Sequence, residues 1–159
     1  MKRIFRSTGW LVAVFSPVAY ADCPVTLVSS SPVKVPGMDT GSTYGWYGSE
    51  ALAVMLPANG RWKGMGPEHN FRDKFWIWRR GYDPGAEPKP DLTISGVKLD
   101  GDTAETLKID NATNAFGGGW TSMLVGMEYP SAGCWRVTVT YVLVGITHEL
   151  EFTVDVVAK

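Results

Sequence analysis

Residues Phe71 to Arg80 carry the densest chemistry in the chain, with two indoles and four cations in ten positions. Taken as a strand, Phe71, Asp73, Phe75 and Ile77 share one parity, and Arg72, Lys74, Trp76, Trp78 and Arg80 share the other. The first set suits a core. The second presents a stacking surface framed by charge, chemistry suited to sugar rings, peptide aromatics, or an acidic glycan or carboxylate partner. The alternative is that a loop folds over the indoles and the cations stack on them. A second cluster, Tyr44, Trp46 and Tyr47, is interleaved with Gly45 and Gly48, which fits either a ring-exposing loop or ordinary core filling.

Groups that could perform catalysis are sparse. His148 shares the apolar parity of its segment and reads as a core or rim histidine. Glu68-His69-Asn70 is a polar turn with no nucleophile motif beside it. Glu50, Asp73 and Glu128 are the carboxylates from which a glycosidase pair would have to be drawn, and such a pair requires a set separation across one cleft. Phe116-Gly117-Gly118-Gly119-Trp120 lacks the strand-to-helix setting of a phosphate loop and reads as a flexible connection. Two histidines and two cysteines without ligand spacing imply no metal. No catalytic residue and no cofactor are assigned, and the chain reads as a non-enzyme.

The elements that would position these groups are strands. From Gly133 to Val157, Trp135, Val137, Val139, Tyr141 and Leu143 alternate with polar residues, and the alternation resumes after Gly145 as Ile146, His148, Leu150, Phe152, Val154 and Val156. This predicts an antiparallel hairpin pairing Leu143 with Ile146, Val137 with Phe152 and Trp135 with Val154, closed by a two-residue Val144-Gly145 turn, which Val suits poorly, or by a four-residue loop that keeps the same faces. Pro24 to Val28 reads as a first strand. Glu50 to Leu56 places Leu52, Val54 and Leu56 on one face and stops at Pro57-Ala58-Asn59-Gly60. Asp91 to Leu99 reads as a strand with a bulge at Gly96, Thr106 to Ile109 as a short edge strand, and Thr121 to Tyr129 as a strand with Met123, Val125, Met127 and Tyr129 inward. With 18 Gly and 10 Pro spread as punctuation, six to eight such strands predict an all-β sandwich ending in an antiparallel hairpin.

The N-terminus reads as a secretory leader: Lys2, Arg3 and Arg6, a short apolar run from Trp10 to Phe15, and a small-x-small site at Ala19-Tyr20-Ala21. The expected organisation is a signal peptide over 1–21, an N-terminal strand and Ser/Pro/Gly-rich lead over 22–42, and the sandwich over 43–159. Export implies a periplasmic or extracellular protein, with a lipidated Cys23 as the competing reading. In an oxidising compartment Cys23 and Cys134 are most simply one disulfide, clamping the N-terminal strand to the sheet, against two free or lipid-linked thiols. The 15 basic and 16 acidic residues give a net charge of −1, and loss of the leader makes it more acidic, so nucleic acid is not expected as a partner. No segment after the leader has the run of about 20 apolar residues that a membrane helix needs.

Pro130-Ser131-Ala132-Gly133-Cys134-Trp135-Arg136-Val137-Thr138, followed by Leu150 to Val154, resembles the C-terminal signature of a group of uncharacterised bacterial exported proteins with a Pro-x-x-Gly-Cys-Trp-x-Val-Thr block. Tyr47 to Pro57 and Lys74 to Arg79 are similar to the same group. The resemblance implies an immunoglobulin-like exported domain with no settled activity, and it carries over no catalytic residue. The reading that results is a non-catalytic binding or accessory module for a polysaccharide or an envelope protein. An immunoglobulin-like peptidase inhibitor is the second reading, although the Asn-Pro-Thr-Thr-Gly loop of such inhibitors is not found here. A glycan-acting enzyme is the third.

Overall fold

The computed structural model describes residues 22–63, 71–101, 106–117 and 120–157. The leader and Glu68-His69-Asn70 lie outside the described residues. Ten strands run in chain order: β1 (Tyr44–Gly48), β2 (Ala53–Pro57), β3 (Arg61–Trp62), β4 (Phe71–Trp78), β5 (Leu92–Lys98), β6 (Lys108–Ile109), β7 (Thr113–Gly117), β8 (Trp120–Tyr129), β9 (Gly133–Leu143) and β10 (Ile146–Val156). The first sheet has the order β1-β2-β4-β8-β6, with β7 also on β8, and the second has the order β3-β10-β9-β5.

The alternating segments decide how the sheets face each other. Phe75 and Ile77 of β4, Met123 to Tyr129 of β8, Trp135 to Tyr141 of β9 and Phe152 to Val156 of β10 all turn their apolar parity into one shared core. Phe75 stacks on Phe152 from the opposite sheet at 5.5 Å, and Tyr129 meets Trp135 edge-on at 5.6 Å. The hairpin has the predicted register, from Leu143 opposite Ile146 to Trp135 opposite Val154. Its turn places Val144 at φ 49° and Gly145 at φ 77°, the two left-handed residues that a two-residue primed turn requires.

One strand serves both sheets. β2 pairs with β1 and β4, the chain kinks at Pro57–Gly60, and β3 then pairs parallel with β10 in the other sheet. Four-strand pairing of β2, β4, β8 and β6/β7 against β5, β9 and β10 is the arrangement of an immunoglobulin-type sandwich, here with β1 added at one edge.

Three expectations are corrected. Pro24 to Val28 is not a strand: Pro24 has no amide proton, Val25 N–H turns back to Cys23 O, and Val28–Ser30 closes a 3-10 turn. The segment is held instead by Thr26, whose N–H donates to Thr153 O while its Oγ1 accepts from Thr153 N–H, both at the free edge of β10. Gly96 is not a bulge, since β5 and β9 stay in continuous register from Leu92 opposite Tyr141 to Lys98 opposite Trp135. A Cβ there would collide with the Leu107 side chain, which crosses the strand at that point. Phe116 and Gly117 continue β7, and Gly117 pairs with Trp120 of β8, so these residues are ladder and not a loose connection.

The disulfide between Cys23 and Cys134 is formed, with Cα atoms 5.4 Å apart. Because Trp135 is core, Cys134 takes the outer parity and the bridge lies outside the main core.

Candidate functional site

The outer face of the first sheet gathers most of the aromatic candidates. Even-numbered residues of β4 point outward and pair across to β8, with Arg72 opposite Glu128, Lys74 opposite Gly126 and Trp76 opposite Leu124. On the other side Trp46 of β1 lies opposite Met55, and Ala53 opposite Trp78. The lead then decides which rings see solvent. After Gly48 N–H bonds Ser31 O and Val33 N–H bonds Trp46 O, the chain turns across the sheet and lays Val33, Val35 and Met38 on the indoles.

Trp46 and Trp78 are consequently buried, at 3 % and 8 % exposure, and form a second apolar cluster with Val35 and Ala53. The expectation that Trp78 belongs to an open stacking face is corrected, and of the two readings of Trp46, ring-exposing loop or core filling, the second holds: both indoles are covered, because a tryptophan left bare beside Val33 and Val35 forfeits the burial those side chains provide. Tyr47 has the inward parity and packs on the main core. Tyr44 remains partly exposed. Its phenol is pushed above its ordinary pKa by burial and then by the charge of Asp73. Tyr44 and Trp46 line a groove of about 800 Å³ between β1 and residues Pro32 to Gly41.

Trp76 stays partly exposed and gains a partner that sequence patterning had not singled out. Trp120, the first residue of β8, meets it edge-to-face at 5.5 Å with the planes 64° apart. The signal was present in parity, since Trp120 matches Leu124 and opposes Met123 along β8, but the preceding glycines obscured where that strand begins. Two of the expected cations are committed elsewhere. Arg72 forms an ion pair with Asp110, and Arg80 with Glu50. Lys74 is exposed beside Trp76 on the same face.

A second constellation closes the end of the sandwich from which the β4–β5 loop emerges. Arg79, 8 % exposed, donates Nε–H to Tyr141 Oη at 2.8 Å and pairs with Glu87, whose other oxygen accepts from the Tyr141 hydroxyl. Its guanidinium lies over the rings of Tyr82 and Tyr141, 5.7 and 5.6 Å from their centroids. Tyr82 Oη bonds Asn114 Oδ1, which ties the loop to β7. Burial opposes the Arg79 charge, but hydrogen bonds to Tyr141 and Glu87 outweigh it and hold its pKa above the usual value. Burial and then the Glu87 charge push Tyr82 up to about 12. Burial first, then the bond to Glu87, raises Tyr141. These groups are mutually satisfied, and the network acts as an anchor for the loop. His148 stacks on Tyr141 at the rim of this cluster, 6.4 Å between centroids.

The carboxylates do not converge. Glu50 is engaged by Arg80, while Asp73 lies level with core-facing Met127 and Glu128 with outward-facing Arg72, on opposite faces of the sheet. Among the described residues no group of three or more His, Cys, Asp or Glu is arranged to hold a metal ion. Comparison of the chain with known protein families, curated proteins and solved structures finds no match.

Proposed function

We propose that the protein is an exported, non-catalytic binding module of the cell envelope, and that its ligand seats in the corner between Trp76 and Trp120. The observation that carries this reading is the edge-to-face indole pair on a sheet face that the lead covers only in part. Two indole planes 64° apart form a corner in which one ring of a saccharide or an aromatic group stacks on one indole and abuts the other. With Arg72 and Arg80 neutralised by Asp110 and Glu50, Lys74 is the cation left to orient the ligand. A neutral or weakly anionic saccharide fits better than a polyanion. The leader-like N-terminus, the disulfide and the likeness of the Pro130 to Thr138 block to exported proteins support the export half of the reading.

The inhibitor reading needs several protruding loops at one end. The β9–β10 connection is only Val144-Gly145, and the longer β4–β5 loop is pinned inward by Arg79 and Glu87, so no observation favours it. The test is titration of the purified protein with chitooligosaccharides, peptidoglycan fragments and acidic glycans, followed by tryptophan fluorescence and calorimetry. Binding of a neutral glycan that Trp120→Ala reduces at least tenfold, with little dependence on salt, is expected. Saturable binding untouched by Trp120→Ala, or no binding at millimolar glycan, overturns the reading.

A further inference from the structure

On the side of the sandwich away from β1 and β3, the described strands of the two sheets end at β5 and at β6/β7, and a slot of about 560 Å³ opens between them. Its floor is core: Ile94 is 5 % exposed and Val125 is 2 % exposed, and both line the slot together with Leu92 and Ala112. Above, Asn114 Nδ2–H reaches Pro88 O and closes one end. Below, Leu107 crosses over Gly96 beside the Val97–Thr106 bridge and closes the other.

The far lip is held open by a defect in its ladder. Ile109 pairs with Met127 but Thr113 pairs with Leu124, so three residues, 110–112, stand opposite two, 125–126. This one-residue bulge bends the edge along the lip of the slot. It is fixed in place: Asp110 N–H bonds Gly126 O, its carboxylate pairs with Arg72, and a Cβ on Gly126 would collide with that carboxylate.

The near lip supplies directed backbone chemistry. Leu99 N–H donates to Cys134 O, and Val142 N–H donates to Asp91 O, so the odd-numbered residues of this stretch bond β9. By the alternation of an antiparallel ladder, the N–H and C=O of Leu92 and Ile94 turn away from β9 toward the slot. Paired donors and acceptors repeating every second residue, about 6.8 Å apart, match an extended chain. The apolar floor beneath receives every second side chain.

We propose that this slot is a strand-addition site that takes an extended peptide segment of a partner protein, with apolar side chains at alternate positions. A second copy of this chain, pairing β5 with β5, fits poorly, because the Val97–Thr106 bridge already occupies the lower part of that strand. The site lies on the opposite side of the first sheet's ladder from Trp76 and does not rest on the glycan reading.

The experiment pans a phage-displayed library of random heptapeptides against the purified protein and resynthesises the enriched sequences. Alternating apolar residues, slowed hydrogen exchange at Leu92 and Ile94, and binding unchanged by Trp76→Ala are expected. Methylating every second peptide nitrogen should weaken binding at least tenfold in one phase and leave it unchanged in the other. Ala112→Phe, which fills the slot, should abolish binding. The proposal is overturned if no sequence is enriched, if methylation acts equally in both phases, if a stably folded Ala112→Phe protein binds as before, or if sedimentation shows a dimer that protects the same amides. The methylation pattern decides the question even where Ala112→Phe fails to fold.

Discussion

Removing the Cys23–Cys134 bridge by the double substitution Cys23→Ser, Cys134→Ser should lower stability by about 3 to 5 kcal/mol. The bridge spans a sequence separation of 111 residues. In the chain-entropy relation such a loop gives about 16 cal/mol/K, or about 4.8 kcal/mol at 25 °C. Part of that is returned in the native state. Cys23 to Thr26 would then be tied to β10 through the two Thr26–Thr153 hydrogen bonds, and residues that fray there recover about 1 kcal/mol or more of freedom each. A loss of this size corresponds to a fall in Tm of about 10 to 20 °C for a domain of this length. Calorimetry of the oxidised protein and the double variant measures it. Because Ser31 and Val33 still pair with β1 through Gly48 and Trp46, tryptophan emission below the transition should keep its buried character. A fall in Tm under about 3 °C would refute the reasoning, as would a red-shifted spectrum before unfolding, which would mean that the disulfide and not the β1 pairing holds the lead over Trp46 and Trp78.

Val144 is 93 % exposed with φ 49°, a costly conformation for a β-branched side chain, so Val144→Asn should raise stability by about 1 kcal/mol in urea titrations; a loss would mean that the turn type is different. Trp78→Ala should cost about 3 to 5 kcal/mol, the range for emptying a buried aromatic site, and a cost below 1 would place the ring on the surface. Tyr82 has a folded pKa raised to about 12 from the ordinary value of 10, so the stability its neutral form contributes is complete below pH 10 and is lost as pH rises toward 12. Alkaline melts should therefore show stability falling above pH 10, less steeply in Tyr82→Phe, and identical slopes would contradict this.

The hairpin register was legible because a period of two leaves one pairing that matches apolar with apolar, and Trp135, Val137 and Phe152 stand where that pairing puts them. The inward faces of β4 and β8 were legible for the same reason. Coverage of the outer face was not. Whether Trp78 is bare depends on where Val33 and Val35 go, and no local pattern connects those positions across more than forty residues. The role of Gly96 was misread because a bulge and a crossing side chain both call for glycine, and only the position of Leu107 separates them. The Arg79–Glu87–Tyr141 network escaped because Tyr141 carried an apolar parity that already accounted for it.

The kinked strand β2–β3 has a mechanical consequence. It is hydrogen-bonded into both sheets, and the N-terminal segment crosses the same side, bonded to Thr153 of one sheet and to Trp46 and Gly48 of the other. Sliding one sheet past the other must therefore shear two sets of ladder bonds at once, so that side behaves as a stiff spine. On the opposite side the described residues join the sheets at the two ends, through the Val97–Thr106 bridge and the Asn114–Pro88 contact, and not through a strand shared by both. Load applied to the sandwich is therefore expected to be taken up there, as a small rotation of the sheets about the spine that widens or narrows the gap between β5 and β7.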